Sequence, residues 1–144
     1  MGFMRLIFLL VMTAGQKIVG PINSDDPKWR TVNAPPEMAS LAFVFDTTGS
    51  MWDDLDKVKK GAQRILQSAR QRQIQPLYNY LLVPFHDPDV GPVSRTRNPM
   101  DFERELHNIR IHGGGDCPEM SIYAIREALL LSLENSYIYV FTGF

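Results

Sequence analysis

The stretch that decides the fold lies at residues 41–50 and reads LAFVFDTTGS. Its first five residues are apolar, which is typical of a strand buried on both faces of a parallel sheet. Asp46 ends this strand, and residues 47–50 have the composition of a tight turn. An amphipathic helix is predicted next, because apolar residues then recur at steps of three and four. These residues are Met51, Leu55, Val58, Ala62, Ile65 and Ala69, opposite Lys57, Lys60, Arg64 and Gln67.

The rest of the chain continues this alternation of strands and helices. Strands are predicted at residues 80–85, at 93–96 as a short edge strand, and at 137–141. A second helix carries Phe102, Leu106 and Ile109, and a third begins near Pro118, which suits a first helical turn. The apolar residues of the third helix are Ile122, Ile125, Leu129 and Leu133. This order predicts a doubly wound α/β fold with a mostly parallel sheet of about four strands.

Bulk composition narrows the classes of function. The 144 residues suffice for one domain, and a hydrophobic content of 44% suits a packed core. The formal net charge is -1, from 15 basic and 16 acidic residues. This balance gives no electrostatic reason to expect a nucleic acid or an anionic membrane as partner.

The first 40 residues differ in character from the rest. Arg5, the apolar residues 6–12 and the small residues 13–15 are typical of a secretory signal peptide, predicted at residues 1–15. A buried N-terminal strand is the alternative, and the apolar run is too short to span a membrane. Residues 16–40 hold four prolines without periodicity, which indicates a linker or N-terminal arm. The folded domain is then predicted at residues 41–144 of a secreted protein.

Three oxygen-bearing side chains alternate in the turn after the first strand. Asp46, Thr48 and Ser50 are suitable ligands for a hard cation such as Mg²⁺. One carboxylate and two hydroxyls would leave the ion under-neutralised, so that it could accept a carboxylate from a partner. The turn also lies at the carboxyl end of a strand, where open α/β sheets bind ligands. The alternative is a simple helix N-cap, in which Thr48 or Ser50 accepts from free backbone N–H groups.

The residues FVFDTTGSM at 43–51 resemble the metal-ion-dependent adhesion site of von Willebrand factor A (vWA) domains. Residues 83–88, 113–119 and 139–142 are similar to the N-terminal vWA domain of hemicentins, which are large extracellular-matrix proteins. The resemblance covers residues 41–142. It implies a non-enzymatic adhesion module of the extracellular matrix, a Mg²⁺ or Ca²⁺ ion, and a matrix or cell-surface protein partner that offers a carboxylate.

The resemblance also implies roles for individual residues. Asp46, Thr48 and Ser50 match the first metal-binding loop of the family. Asp53 and Asp54 are similar to paired acids that serve an adjacent Ca²⁺ site in the integrin β-subunit variant. Asp116 and Glu119 resemble an integrin segment whose glutamate completes the central site and whose aspartate serves a neighbouring Ca²⁺. For Asp53 and Asp54 the alternative is an ordinary pair of acids in a first helical turn, which is favourable without metal.

One position departs from the family pattern. After Thr142 the pattern calls for an aspartate, and this chain has Gly143. The sequence therefore predicts a metal site that lacks one carboxylate, in a domain that is incomplete at its C-terminus, with the strand at 137–141 on an open edge. A fragment without autonomous binding is the alternative function.

Cys117 is the single cysteine, and it raises the question of an enzyme. A thiol–imidazole pair with His112 or His86 would be the nucleophilic device. No third residue that would orient the imidazole stands out in the sequence. We therefore expect a structural thiol and no enzymatic activity.

Overall fold

The computed structural model describes residues 34–71, 76–113 and 118–143, and of Pro118 and Glu119 it describes the backbone only. The predicted signal peptide at residues 1–15 and most of the predicted arm, residues 16–33, lie outside this part. Asp116 and Cys117 lie outside it as well.

The first strand, β1 (Ala39–Asp46), is buried along its whole length and forms the middle of the sheet. It pairs in parallel with β2 (Leu77–His86) on one side and with β5 (Tyr137–Phe141) on the other. This double pairing explains why the run at residues 41–45 is apolar at consecutive positions, since both faces and both edges of the strand are covered.

Two short strands extend the sheet beyond β2. Both β3 (Asp89–Val90) and β4 (Ser94–Thr96) pair with β2 antiparallel, at different points along its length. The strand order is β3-β2-β1-β5 with β4 also on β2, so the described sheet has five strands. The prediction of about four strands missed β3, because two residues are too few to show periodicity. The three long strands are mutually parallel, as predicted.

Helices cover both faces of the sheet. Leu41, Phe43 and Phe45 contribute to one apolar cluster with α1 (Leu55–Gln71) and α2 (Pro99–His107). Ala42 and Val44 contribute to a second cluster with α3 (Pro118–Leu131). Successive residues of a strand point to opposite faces, so β1 supplies both cores. The predicted doubly wound α/β architecture is confirmed.

The first helix begins later than its apolar pattern suggests. A separate 3₁₀ turn, Gly49–Met51, follows the Asp46 loop, and α1 starts only at Leu55. The buried face includes Met51 and Leu66, whereas Leu55 and Ile65 are only partly buried. Val58, Ala62 and Ala69 are buried as predicted. The predicted polar face is exposed at Lys57, Lys60, Arg64 and Gln67.

The prediction for α3 has the correct start, but it runs past the end of the helix and its inner face is only partly right. Ile122 is 66% exposed, and Leu133 lies after the end of the helix. Ala124 and Ala128 are the fully buried residues, while Ile125 and Leu129 pack at the margin of the cluster. Small side chains let the helix lie close to the sheet, which a pattern of large apolar residues does not reveal.

The core on the α1 side is built around the ring of Phe43. Its centroid lies 5.3 Å from that of Phe102, 5.8 Å from Tyr139 and 5.3 Å from Phe141. Each such pair adds about 0.5–1.5 kcal/mol beyond its area burial. These contacts join α2 and β5 to the central strand.

A buried serine pair sets the register between β1 and β5. The backbone N–H of Ser40 donates to Ser136 Oγ at 2.8 Å, and Ser40 Oγ accepts from the backbone N–H of Leu133 at 3.0 Å. Farther along the strands, Phe45 lies opposite Phe141. The residues that follow them, Asp46 and Thr142, therefore emerge side by side at the carboxyl edge of the sheet.

The segment after α2 is held by Lys59 of α1. Its ammonium donates to the carbonyl oxygens of His107 at 2.8 Å and Ile109 at 2.6 Å. Partial burial lowers the pKa of Lys59 below its ordinary value, against the opposing effect of Asp56. This contact positions the chain that runs on to His112.

In residues 34–71, 76–113 and 118–143, no helix has both the length and the apolar content needed to cross a bilayer.

Candidate functional site

The candidate site is centred on Asp46, the last residue of β1. Its side chain is 0% exposed. The strands on either side end near it, since Phe85 of β2 pairs with Asp46 and Phe141 of β5 pairs with Phe45. A fully buried carboxylate is costly unless hydrogen bonds or opposite charges compensate it. The surroundings of Asp46 therefore define what the site can do.

Four hydrogen bonds reach the two oxygens of this carboxylate. Oδ1 accepts from the backbone N–H of Thr48 at 2.8 Å and from Thr48 Oγ1 at 2.6 Å. Oδ2 accepts from Thr142 Oγ1 at 3.1 Å and from the backbone N–H of Gly143 at 3.3 Å. The donors come from the turn after β1 and from the residues after β5, so Asp46 ties two distant segments together.

All four of these donors are electrically neutral. In the part of the chain that the structure describes, the ion pairs are those of Lys57 with Asp54, His86 with Asp89 and Arg104 with Asp101. None of them involves Asp46, so no basic side chain there offsets its charge. A negative charge buried among neutral donors favours a cation nearby.

Oxygen atoms lead from the buried carboxylate to the surface. Thr48 Oγ1, which bonds to Asp46, lies 3.1 Å from Ser50 Oγ. Thr48 is 1% exposed, whereas Ser50 is exposed. The structure thus brings together the three predicted ligands of the first loop, with Ser50 on the solvent side.

The alternative reading of Thr48 as a helix cap is wrong. Thr48 does occupy the N-cap position of the 3₁₀ turn, but its side chain makes no capping hydrogen bond. The hydroxyl bonds instead to Asp46 and contacts Ser50. A requirement of the carboxylate therefore decides the orientation of Thr48.

Thr47 anchors the loop and is absent from the sequence-based predictions. Its backbone N–H and its hydroxyl both donate to the carbonyl oxygen of Phe85, at 2.8 and 3.0 Å. Its own carbonyl oxygen accepts from the backbone N–H of His112 at 2.9 Å. The sequence does show a hydroxyl residue directly after a buried strand. It could not show the role of Thr47, because its partners Phe85 and His112 lie far away in sequence.

Gly143 borders directly on Ser50. A Cβ atom added at Gly143 would lie 2.9 Å from Ser50 Oγ and 3.2 Å from Met51 Sδ. Position 143 is therefore adjacent to the loop, as the resemblance implied for the aspartate of the family pattern. Here that position contributes only its backbone N–H, to Asp46.

The paired acids Asp53 and Asp54 lie between the 3₁₀ turn and α1. Asp54 Oδ1 forms an ion pair with Lys57 Nζ at 3.1 Å, and Asp53 is exposed. Among the side chains that the structure describes, no three of His, Cys, Asp or Glu are grouped so as to hold a metal ion. The side chain of Glu119 and all of Asp116 lie outside the described residues, so their roles stay predictions.

The histidines considered for a thiol–imidazole pair lie next to each other. The rings of His86 and His112 stack at 4.9 Å between centroids, with an interplanar angle of 13°. Cys117, the thiol of that hypothesis, lies outside the described residues.

The donor set of the loop fits a hard divalent cation. Carboxylate and hydroxyl oxygens are the ligands that Mg²⁺ and Ca²⁺ prefer, and nitrogen and sulfur ligands are absent from the loop side chains 46–50. One carboxylate leaves a dication under-neutralised. Such a centre attracts a further anion.

Comparison with known proteins agrees with this geometry. A family model described as von Willebrand factor A domain matches residues 40–143. The chain is 55% identical to Hemicentin-1 of Mus musculus over 113 residues. The aligned part makes up 78% of this chain and 2% of that protein. It is 47% identical over 133 residues to Hemicentin-2 of Mus musculus, and the aligned part makes up 92% of this chain and 3% of that protein. It is 45% identical over 104 residues to von Willebrand factor A domain-containing protein 7 of Mus musculus, and the aligned part makes up 72% of this chain and 12% of that protein. The chain spans only a small part of each relative.

Replacing Asp46 should destabilise the protein even without metal. Asp46→Ala removes the acceptor of four hydrogen bonds, from the buried Thr48 and Thr142 and from the exposed Gly143, which should lower the free energy of unfolding by about 2–4 kcal/mol. Urea unfolding in the presence of EDTA measures this effect. The exposed Asp53→Ala is the matched control and should change the free energy by less than about 0.5 kcal/mol. Equal effects of the two substitutions would contradict the structural role of Asp46.

Proposed function

This chain belongs to the von Willebrand factor A domain family, and from that premise we propose that it is a non-enzymatic, extracellular binding module. Its loop at residues 46–50 holds Mg²⁺ or Ca²⁺, and the ion takes a carboxylate from a partner protein. The observation that carries this proposal is the line of oxygens from buried Asp46 through Thr48 to exposed Ser50.

Each residue of the loop has a distinct part in this proposal. Asp46 supplies the negative charge, and its hydrogen bonds to Thr142 and Gly143 fix its position from the far side. Thr48 and Ser50 supply neutral oxygens, with Ser50 on the solvent side. When bound, the ion supplies a positive centre with positions left for water or for an incoming carboxylate.

The charge balance of the loop favours an acidic partner. One carboxylate against a dication leaves a net charge of about +1 at the surface, which attracts an anion and limits the affinity for the ion itself. Asp116 and Glu119 would add negative charge as the family pattern implies. A separate Ca²⁺ site at Asp53 and Asp54 would first have to displace Lys57 from Asp54.

An extracellular location rests on the hemicentin relatives and on residues 1–15. Hemicentins are extracellular-matrix proteins, and residues 1–15 have the composition of a secretory signal peptide. The proposed partner is accordingly a matrix or cell-surface protein. The chain corresponds to 2–3% of the length of these hemicentins.

Metal binding can be followed through the fluorophore Trp52, which is 72% exposed and follows Ser50 and Met51 in the sequence. Excited Trp52 should sensitise Tb³⁺ luminescence when Tb³⁺, a probe for oxygen-ligand sites, binds the loop. Trp29→Phe removes the second tryptophan. On that background Ser50→Ala should weaken Tb³⁺ binding about tenfold, because one ligand is lost.

The exposed Ser68→Ala on α1 is the matched control and should leave the Tb³⁺ titration unchanged. Excess Mg²⁺ should suppress the luminescence by competition. A signal that Mg²⁺ does not displace, or equal affinities in the Ser50 and Ser68 variants, would refute the site. In that case the chain does not bind the metal autonomously.

The proposed adhesion chemistry predicts metal-dependent binding of a carboxylate. The peptide acetyl-Gly-Glu-Gly-amide should shift backbone amide NMR signals of residues 47–52 in Mg²⁺, and the shifts should vanish in EDTA. The glutamine peptide of the same length should bind at least about fivefold more weakly, since it lacks the charge. Equal binding of the two peptides, or binding that persists in EDTA, would argue against carboxylate capture.

Restoring a carboxylate at position 143 should tighten metal binding. Gly143→Asp places an acid next to Ser50 and Met51, whose side chains have to shift slightly because the new Cβ would lie 2.9 Å from Ser50 Oγ and 3.2 Å from Met51 Sδ. The affinity for Mg²⁺, measured by calorimetry, should rise about tenfold. Gly143→Asn has nearly the same shape without the charge and serves as the control. If both variants bind Mg²⁺ equally well, position 143 does not face the ion.

A further inference from the structure

A second candidate binding site is an open cavity at the antiparallel edge of the sheet. Its volume is about 450 Å³, and it lies between α3 and the segment that runs from the end of β2 toward β4. The described residues that line it are Pro88, Asp89, Val90, Val93, Met120, Tyr123 and Glu127. None of them belongs to the loop at residues 46–50.

The walls of this cavity are largely apolar. Val90, Val93 and Met120 are partly buried and pack against the cluster on the α3 face of the sheet. Tyr123 also lines the cavity and remains 55% exposed, so its ring is accessible to a ligand. Such walls suit an elongated apolar stem rather than a small hydrated ion.

The charged groups among the described lining residues are both acidic. Asp89 and Glu127 line the cavity, and the Asp89 side chain is 71% exposed. Among the described lining residues there is no lysine, arginine or histidine. The neighbouring His86 reaches Asp89 only at the limit of an ion pair, with Nε2 4.0 Å from Oδ2. The ligand that complements this cavity therefore carries a positive charge.

We propose that this cavity binds an arginine side chain presented by a partner polypeptide. The methylene stem of arginine covers apolar walls such as Val93 and Met120, as long basic side chains do at protein surfaces. The guanidinium pairs with Asp89 and Glu127 and packs on the ring of Tyr123. Lysine fits less well, because its compact ammonium is more strongly hydrated and does not stack.

The test is an NMR titration of the full chain with acetyl-Ala-Arg-Ala-amide in the presence of EDTA. EDTA removes divalent ions, so the result does not depend on the metal site. Amide signals of Asp89, Val90, Tyr123 and Glu127 should shift. The citrulline peptide, which has almost the same shape without the charge, should bind at least about fivefold more weakly. Equal binding of the two peptides, or of the lysine peptide and the arginine peptide, would overturn the proposal.

Substitutions of the two acids test whether the arginine peptide binds in this cavity. Asp89→Asn combined with Glu127→Gln should weaken arginine-peptide binding about tenfold, and Glu134→Gln, at an exposed position after α3, should not change it. The dispersion of the NMR spectrum shows whether each variant is folded. If a variant does not fold, the arginine, citrulline and lysine peptides still test the proposal on the unmodified chain. Unchanged affinity in the folded double variant would place the binding elsewhere.

Discussion

The buried carboxylate of Asp46 is the interaction on which the functional end of this molecule depends. Its side chain lies at the carboxyl edge of the central strand with no exposure to solvent. Four neutral donors, from the turn after β1 and from the residues after β5, compensate it. A charge in this position is stable only where strand register, loop conformation and donor placement agree.

Contacts at some distance from Asp46 fix the strand register and the conformation of the loop. Continuous apolar pairing places β1 between β2 and β5, and the buried Ser40–Ser136 contact aligns β1 with β5 at the opposite end. Thr47 holds the loop to Phe85 of β2 and to His112. The loop is therefore fixed from both sides before any ligand is considered, which lowers the entropic cost of binding.

Two surfaces of opposite character follow from this arrangement. The loop at residues 46–50 is suited to a cation and, through it, to a carboxylate. The cavity lined by Asp89, Tyr123 and Glu127 presents acids and apolar walls to a basic side chain. Both lie near the carboxyl end of β2, since Val90 pairs with Phe85 and Asp46 pairs with Phe85. A partner with acidic and basic groups would complement both surfaces.

The sequence by itself determined the elements that depend on neighbours along the chain. The apolar run of β1, the periodicity of α1 and the oxygen-bearing turn are local patterns. They predicted the fold class, and they indicated Asp46, Thr48 and Ser50 as candidate ligands. The tertiary structure alone decided the rest. It turned Thr48 toward Asp46 instead of capping a helix, buried Ala124 and Ala128 instead of Ile122, and brought Thr142 and Gly143 to a carboxylate 96 and 97 residues away. These outcomes follow from which surfaces meet across the sheet, and local sequence patterns carry no information about such contacts.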